Sequence, residues 1–236
     1  MEHHATKPPL VFALVHGILT PRENWTDWSA VDLKCRFGHD CIVLQQEYHA
    51  GPLPLFNRYI VNPKVAADLA DDLQKLRCQH PCGRFFIIAH SNGADIALKA
   101  LNLLPDAEIE AVVLMAGAVH ADVGRNGLRR AYERRAVERA ICWHSKGDHV
   151  IGWWARLSGL LTFGFGYGRL GEIGFQGKRK GEPFTNYRDP HPDHSDNWSA
   201  RYIKETLNTL LDQLSVRTEK SHENHRHQPV LHLRIA

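Results

Sequence analysis

Hydrophobic positions along this chain fall into two alternating patterns. The first is the short unbroken apolar run: Leu10–Val15, Ile42–Leu44, Arg84–Ala89 with Phe85, Phe86, Ile87 and Ile88 inside it, Ala111–Met115 and Ala140–Trp143. Runs of β-favouring residues without polar alternation belong to strands covered on both faces, as in a parallel sheet. The second pattern has helical period. Pro63 opens one such segment through Val65, Leu69, Leu73 and Leu76, and Asn92–Leu104 carries Ile96, Leu98, Leu101 and Leu104. Arg125–Arg139 reads as a basic helix, and Ser199–Leu214 carries Tyr202, Ile203, Leu207, Leu210, Leu211 and Leu214. Strands alternating with helices predict an α/β fold, a doubly wound and mostly parallel sheet. The expected organisation is one domain over residues 1–216, with an insertion at 149–190 and a polar, His-rich tail at 217–236, where Pro229–Ile235 is compatible with a short strand.

Composition narrows the classes. In 236 residues, 43% are hydrophobic and 23% charged, which is globular rather than disordered. Lys and Arg number 29 against 26 Asp and Glu, and the resulting +3 is too small to indicate nucleic acid. No apolar run reaches the ~18–20 residues of a membrane span. The five cysteines are scattered and Met1–Pro9 is polar, so free thiols and a cytoplasmic location are expected. Cys78 and Cys82 flank His80 without fitting a closed zinc pattern, and His222, His225 and His227 read as a solvated tail. No cofactor is implied.

The candidate chemistry lies in Phe85-Phe86-Ile87-Ile88-Ala89-His90-Ser91-Asn92-Gly93-Ala94. A buried strand runs straight into a serine and then a helix. A turn that lifts a hydroxyl above the sheet brings strand and helix backbones nearly into contact, so the residues two before and two after the serine must be small. They are Ala89 and Gly93. A second strand, Leu10–Val15, ends in His16-Gly17-Ile18.

These two segments resemble the nucleophile elbow and the His-Gly oxyanion loop of the α/β-hydrolase family, with Ala89 standing where the strict motif has glycine. The likeness runs over roughly Leu10 to Leu214 and lacks the family's two opening antiparallel strands. It implies a reduced sheet of about six strands without a large cap domain. It also implies that Ser91 is a nucleophile and that the backbone N–H groups of Ile18 and Asn92 form the oxyanion hole. The family order of serine, acid and histidine selects Asp148, after Ala140–Trp143, with Asp122 as its rival, and then His194, with His191 as its rival. His16 reads as structural, bonding its own loop. In the insertion, Trp153, Trp154 and Phe165 are candidates for a substrate wall, with ordinary core packing as the alternative. Gly166–Gly171 matches G-x-G-x-x-G by letter but opens no strand–helix–strand unit, so a dinucleotide site is rejected. Trp25 and Trp28, three apart, read as core or pocket floor.

The expected function is a serine hydrolase acting on a small-molecule or lipid-like ester or thioester. The alternatives are a non-catalytic binding or scaffold member of the fold and an amidase or peptidase. The six arginines of the basic segment read as a solvated face rather than an anion site.

Overall fold

Six strands, all parallel, lie side by side in the order β2-β1-β3-β4-β5-β6. They are β1 (Leu10–Val15), β2 (Cys41–Gln46), β3 (Arg84–His90), β4 (Ile109–Met115), β5 (Val137–His144) and β6 (Phe184–Arg188). The computed structural model describes residues 8–18, 25–49, 56–105, 109–148, 168–189, 209 and 211–212. Helices α1 (Trp25–Phe37), α2 (Asn62–Gln79), α3 (Gly93–Leu103), α4 (Leu128–Glu133) and α5 (Leu170–Ile173) connect the strands.

The four central strands β1, β3, β4 and β5 are largely apolar on both faces because both are covered. One face packs against α2, α3 and α4 through Val65, Leu69, Leu73, Ile96, Leu101 and Leu128. The other packs against α1 through Trp25, Ala30 and Leu33, and against Leu211. Each fully buried Phe, Ile or Leu contributes about 1.5–3 kcal/mol. Four of the five apolar runs extend by one to three residues at their ends, and Leu10–Val15 matches its strand.

Three expectations need correction. The basic segment is helical only over the six residues of α4, because Gly127 (φ 85°) and Arg135 (φ 59°) stand in the left-handed region at either end. Arg139 belongs to β5, and its guanidinium meets the Glu110 carboxylate at 3.1 Å. The extra residue of a bulge in β4, where the register to β3 shifts, is Glu110, which also takes both guanidinium nitrogens of Arg84 at 2.6 Å. Trp28 is 60% exposed and lies in no core, although Trp25 is buried as expected.

The sixth strand, Phe184-Thr185-Asn186-Tyr187-Arg188, is an edge strand in which only Phe184 is buried, and it has no apolar run. All five cysteines are free, with Cys35, Cys78 and Cys82 exposed. No described helix is long and apolar enough to cross a membrane. The tail at 217–236 and nearly all of Ser199–Leu214 lie outside the described residues.

Candidate active site

Parallel strands present all their carboxyl ends at one edge of the sheet. The strand order reverses direction between β1 and β3, so the loops leaving these two strands diverge, one toward α1 and the other toward α3. A crevice at such a switch point is where open α/β sheets bind ligands. The His16-Gly17-Ile18 loop and Ser91 meet at this switch point, Gly17 packed against the Ser91 side chain.

The backbone at Ser91 is locked in a strained conformation. Its φ is 52°, a left-handed value that a residue with a Cβ adopts at a cost of about 1–2 kcal/mol. Hydrogen bonds hold it there. The Ser91 N–H donates to the Met115 carbonyl at 2.9 Å, and the Ser91 carbonyl accepts from Ala94 at 3.1 Å and from Ala118 at 3.0 Å. The turn fits because two neighbours are glycines. A Cβ on Gly93 would lie 2.4 Å from the Val15 carbonyl oxygen and 2.6 Å from that of His16. One on Gly17 would lie 2.9 Å from the Ser91 Cβ. Ser91 is half-buried while the strand behind it is buried from Phe85 to His90. Ile18 is likewise half-buried and packs on Ala118.

Behind the crevice lies a buried polar network absent from the sequence reading. The side chains of Asn92 and Asn62, both fully buried, bond each other reciprocally: Asn62 Nδ2 donates to Asn92 Oδ1 at 2.9 Å, and Asn92 Nδ2 to Asn62 Oδ1 at 3.0 Å. Asn62 Nδ2 also donates to Asp95 Oδ2 at 2.8 Å, and the Lys99 ammonium pairs with that carboxylate. Lys99 further donates to the Arg58 carbonyl at 3.1 Å, and burial lowers its pKa. The second hydrogen of Asn92 Nδ2 goes to the Tyr48 hydroxyl at 3.3 Å. Tyr48 in turn donates to the His16 carbonyl at 2.7 Å and stacks on the His16 ring, centroids 4.3 Å apart and planes 9° from parallel. Burial raises the Tyr48 pKa and lowers that of His16, whose Nδ1 bonds the Gly17 carbonyl at 2.7 Å. His16 thus ties its own loop, as expected. Asn62 precedes a helix-opening proline and Tyr48 follows β2, and neither position carries a sequence signature of such a role.

At the other end of the edge, Asp148 closes a turn after β5 and is 1% exposed. Its N–H donates to the Ser145 carbonyl at 3.1 Å, and the Gly147 N–H to the Ser145 hydroxyl at 3.2 Å. Burial lowers the pKa of His144, the last residue of β5. Beside this turn the chain leaves β6 through Asp189, whose carboxyl accepts from Trp143 Nε1 at 3.0 Å, while Tyr187 stacks on the same indole. The rival acid Asp122 caps a turn: its Oδ1 accepts from the N–H groups of Gly124 and Arg125, both at 2.9 Å, which holds its carboxyl below the ordinary range. His194, His191, Trp153, Trp154 and Phe165 lie outside the described residues.

The letter match at Gly166–Gly171 has a packing explanation. A Cβ on Gly168 would fall 2.2 Å from the backbone of His120, and one on Gly171 2.5 Å from that of Ala116. Those glycines let the returning chain lie against the loop after β4.

Solved structures share this open, six-stranded parallel sheet flanked by helices. The esterase domain of a Rhodothermus marinus protein superposes with a TM-score of 0.51 at 16% identity, covering 88% of either chain. A protein of unknown function from Agrobacterium tumefaciens, described as a candidate alpha/beta hydrolase, gives 0.54 at 16% identity over 92% of this chain and 88% of that one. At such identities the likeness establishes the fold: this chain has the α/β-hydrolase fold, and no large cap interrupts β4 to β5. No family model matches the sequence, and no curated protein does.

Proposed function

We propose that the protein is a serine hydrolase that cleaves carboxylic esters or thioesters through an acyl-enzyme. The observation that carries the reading is the left-handed φ of 52° at Ser91, held against Gly17 and Gly93 at the carboxyl end of β3. Such strain clusters at active sites; Ala116 and Arg135 share the left-handed region, but neither of them carries a nucleophilic side chain at the carboxyl end of a central strand.

In this mechanism Ser91 Oγ attacks the substrate carbonyl while His194 takes its proton. The N–H groups of Ile18 and Asn92 receive the developing oxyanion. The tetrahedral intermediate collapses, the bond to the leaving alcohol or thiol breaks, and His194 returns the proton to that group. Water, activated by the same imidazole, then releases the acid. Asp148 holds the imidazole in the tautomer that accepts from Ser91. Support for Asp148 is its burial at the end of β5 and the commitment of Asp122 to capping a turn. Support for His194 is its place in the sequence, six residues after Arg188 ends β6 and after the nucleophile and the acid in the family's order. Trp153, Trp154 and Phe165 would supply an apolar acyl wall. With little cap to enclose a long chain, short or medium acyl groups are preferred.

Fluorophosphonate labelling tests the nucleophile. Wild type reacts, and Ser91→Ala and His194→Ala do not; labelling that survives Ser91→Ala removes the assignment. A series of p-nitrophenyl esters from acetyl to palmitoyl tests the acyl preference, and highest turnover on palmitate refutes that part.

A further inference from the structure

We infer that Tyr48 is a positioning residue that ties the two oxyanion donors together, with Asn62 as its counterpart on the far side of Asn92. The inference rests on the serine-hydrolase reading and deepens it. Ile18 and Asn92 each lie three residues beyond Val15 and Ala89, the last positions at which β1 and β3 pair with each other, so that ladder stops short of both N–H groups. The Tyr48 hydroxyl joins the two segments. It donates to the His16 carbonyl, two residues before Ile18, at 2.7 Å, and accepts from the Asn92 side chain at 3.3 Å.

The rest of the network prevents either arm from yielding. Asn92 Nδ2 has two hydrogens, and Tyr48 and Asn62 take one each. Asn62 Nδ2 likewise divides its two between Asn92 and Asp95. The amide of Asn62 is 0% exposed and that of Asn92 1%, so neither has water as a substitute partner. A buried network with its donors committed holds one geometry, because any rotation leaves a polar group unpaired. The His16 ring, stacked on Tyr48 and bonded to the Gly17 carbonyl at 2.7 Å, carries the constraint into the loop itself. Tyr48 touches no reacting atom. It sets where the two N–H groups point.

An oxyanion hole binds the tetrahedral state more tightly than the planar substrate. Misplacing its donors therefore lowers kcat and leaves KM nearly unchanged. Removing one donor outright costs ~10²–10³ in rate, so loosening two that remain present should cost about tenfold.

The test is Tyr48→Phe, which deletes the hydroxyl and keeps the stack, assayed on p-nitrophenyl butyrate with kcat expressed per fluorophosphonate-titrated site. The expected result is a kcat about tenfold lower, a KM within twofold of wild type, and an alkyl boronic acid (a tetrahedral mimic) bound about tenfold more weakly. Asn62→Ser, which frees Asn92 from the other side, should give the same split with about a threefold loss. A purely structural role would lower the titrated fraction or the melting temperature and leave kcat per site and boronate affinity unchanged. That outcome overturns the inference, as does a Tyr48→Phe loss confined to KM. If wild type neither labels nor hydrolyses the ester, the parent reading fails and takes this one with it. If wild type labels and Tyr48→Phe matches it within twofold in kcat, only the positioning role is lost.

Discussion

The two ends of the sheet edge are built by different means. At the β1–β3 end the backbone and buried amides hold the geometry: a left-handed φ at Ser91, two glycines with no room for a Cβ, and a reciprocal Asn62–Asn92 pair. At the β5–β6 end aromatic side chains do so, the Trp143 indole bonding the Asp189 carboxyl and the Tyr187 ring stacking on that indole. The first end leaves a polar group unpaired or forces a backbone clash if it shifts; the second slides more freely, because ring stacking tolerates offset.

If the acid belongs to the β5 end, Asp148→Asn should give the largest effect, a fall in kcat of about 10⁴, since an amide holds the imidazole in the wrong tautomer. Asp122→Asn should stay within threefold in the same ester assay; an equal loss there would move the acid one strand inward. Next in size, Gly93→Ala forces a Cβ into two backbone carbonyls, and denaturant titration should show a loss of about 3 kcal/mol. A wild-type midpoint would mean that the elbow has slack. Trp143→Phe deletes the bond to Asp189 and should cost about 1–2 kcal/mol while leaving the labelling rate of Ser91 within twofold. A larger fall in labelling would join the two ends. Ser91→Gly should raise stability by about 1 kcal/mol while abolishing labelling, since glycine adopts φ 52° without strain.

The smallest effect is a pH dependence. His16 at one end and His144 at the other both have pKa values lowered from 6.5, chiefly by burial. Below pH 6.5 the unfolded chain therefore binds protons that the folded one refuses, and stability rises with pH across that window. The contribution is complete above about 6.5 and is lost as pH falls toward the folded values. Melting temperatures at pH 7.5 and 5.5 should show the drop, and His16→Gln and His144→Gln should each flatten it. A variant that keeps the full drop acquits its histidine.

What the sequence disclosed follows the same division. The elbow was legible because its demands are local: β-formers, then small-Ser-x-small, then a helical period, all within Phe85–Leu104. The four central strands were legible because burial on both faces leaves few polar residues to interrupt the run, and the edge strand β2 because it keeps Ile42-Val43-Leu44 together. β6, at the other edge, escaped because Thr185, Asn186 and Arg188 break up its apolar residues. The helix expected over Arg125–Arg139 was too long because Arg135, an ordinary arginine by letter, takes the left-handed turn usually left to glycine. Tyr48 and Asn62 were invisible for a different reason. Their partners lie 30 to 44 residues away in the chain, and a lone tyrosine or asparagine carries no periodicity that reports a distant amide.

The return of the chain at Gly168 bears on how this protein can be altered. The chain departs at Asp148 and re-enters where Leu170 and Gly171 donate to the carbonyls of Val119 and Gly117 at 3.0 and 2.9 Å, while Ser145 donates to Gly171 at 2.8 Å. Both anchor posts are thus fastened to the sheet independently of whatever joins them. Between these fixed posts each doubling of length adds only about 0.6 kcal/mol of closure entropy, so residues 149–167 can take insertions, whereas replacing Trp153, Trp154 and Phe165 would remove the proposed acyl wall. Grafting belongs there, and the glycines at 168 and 171 are the stitches to leave uncut.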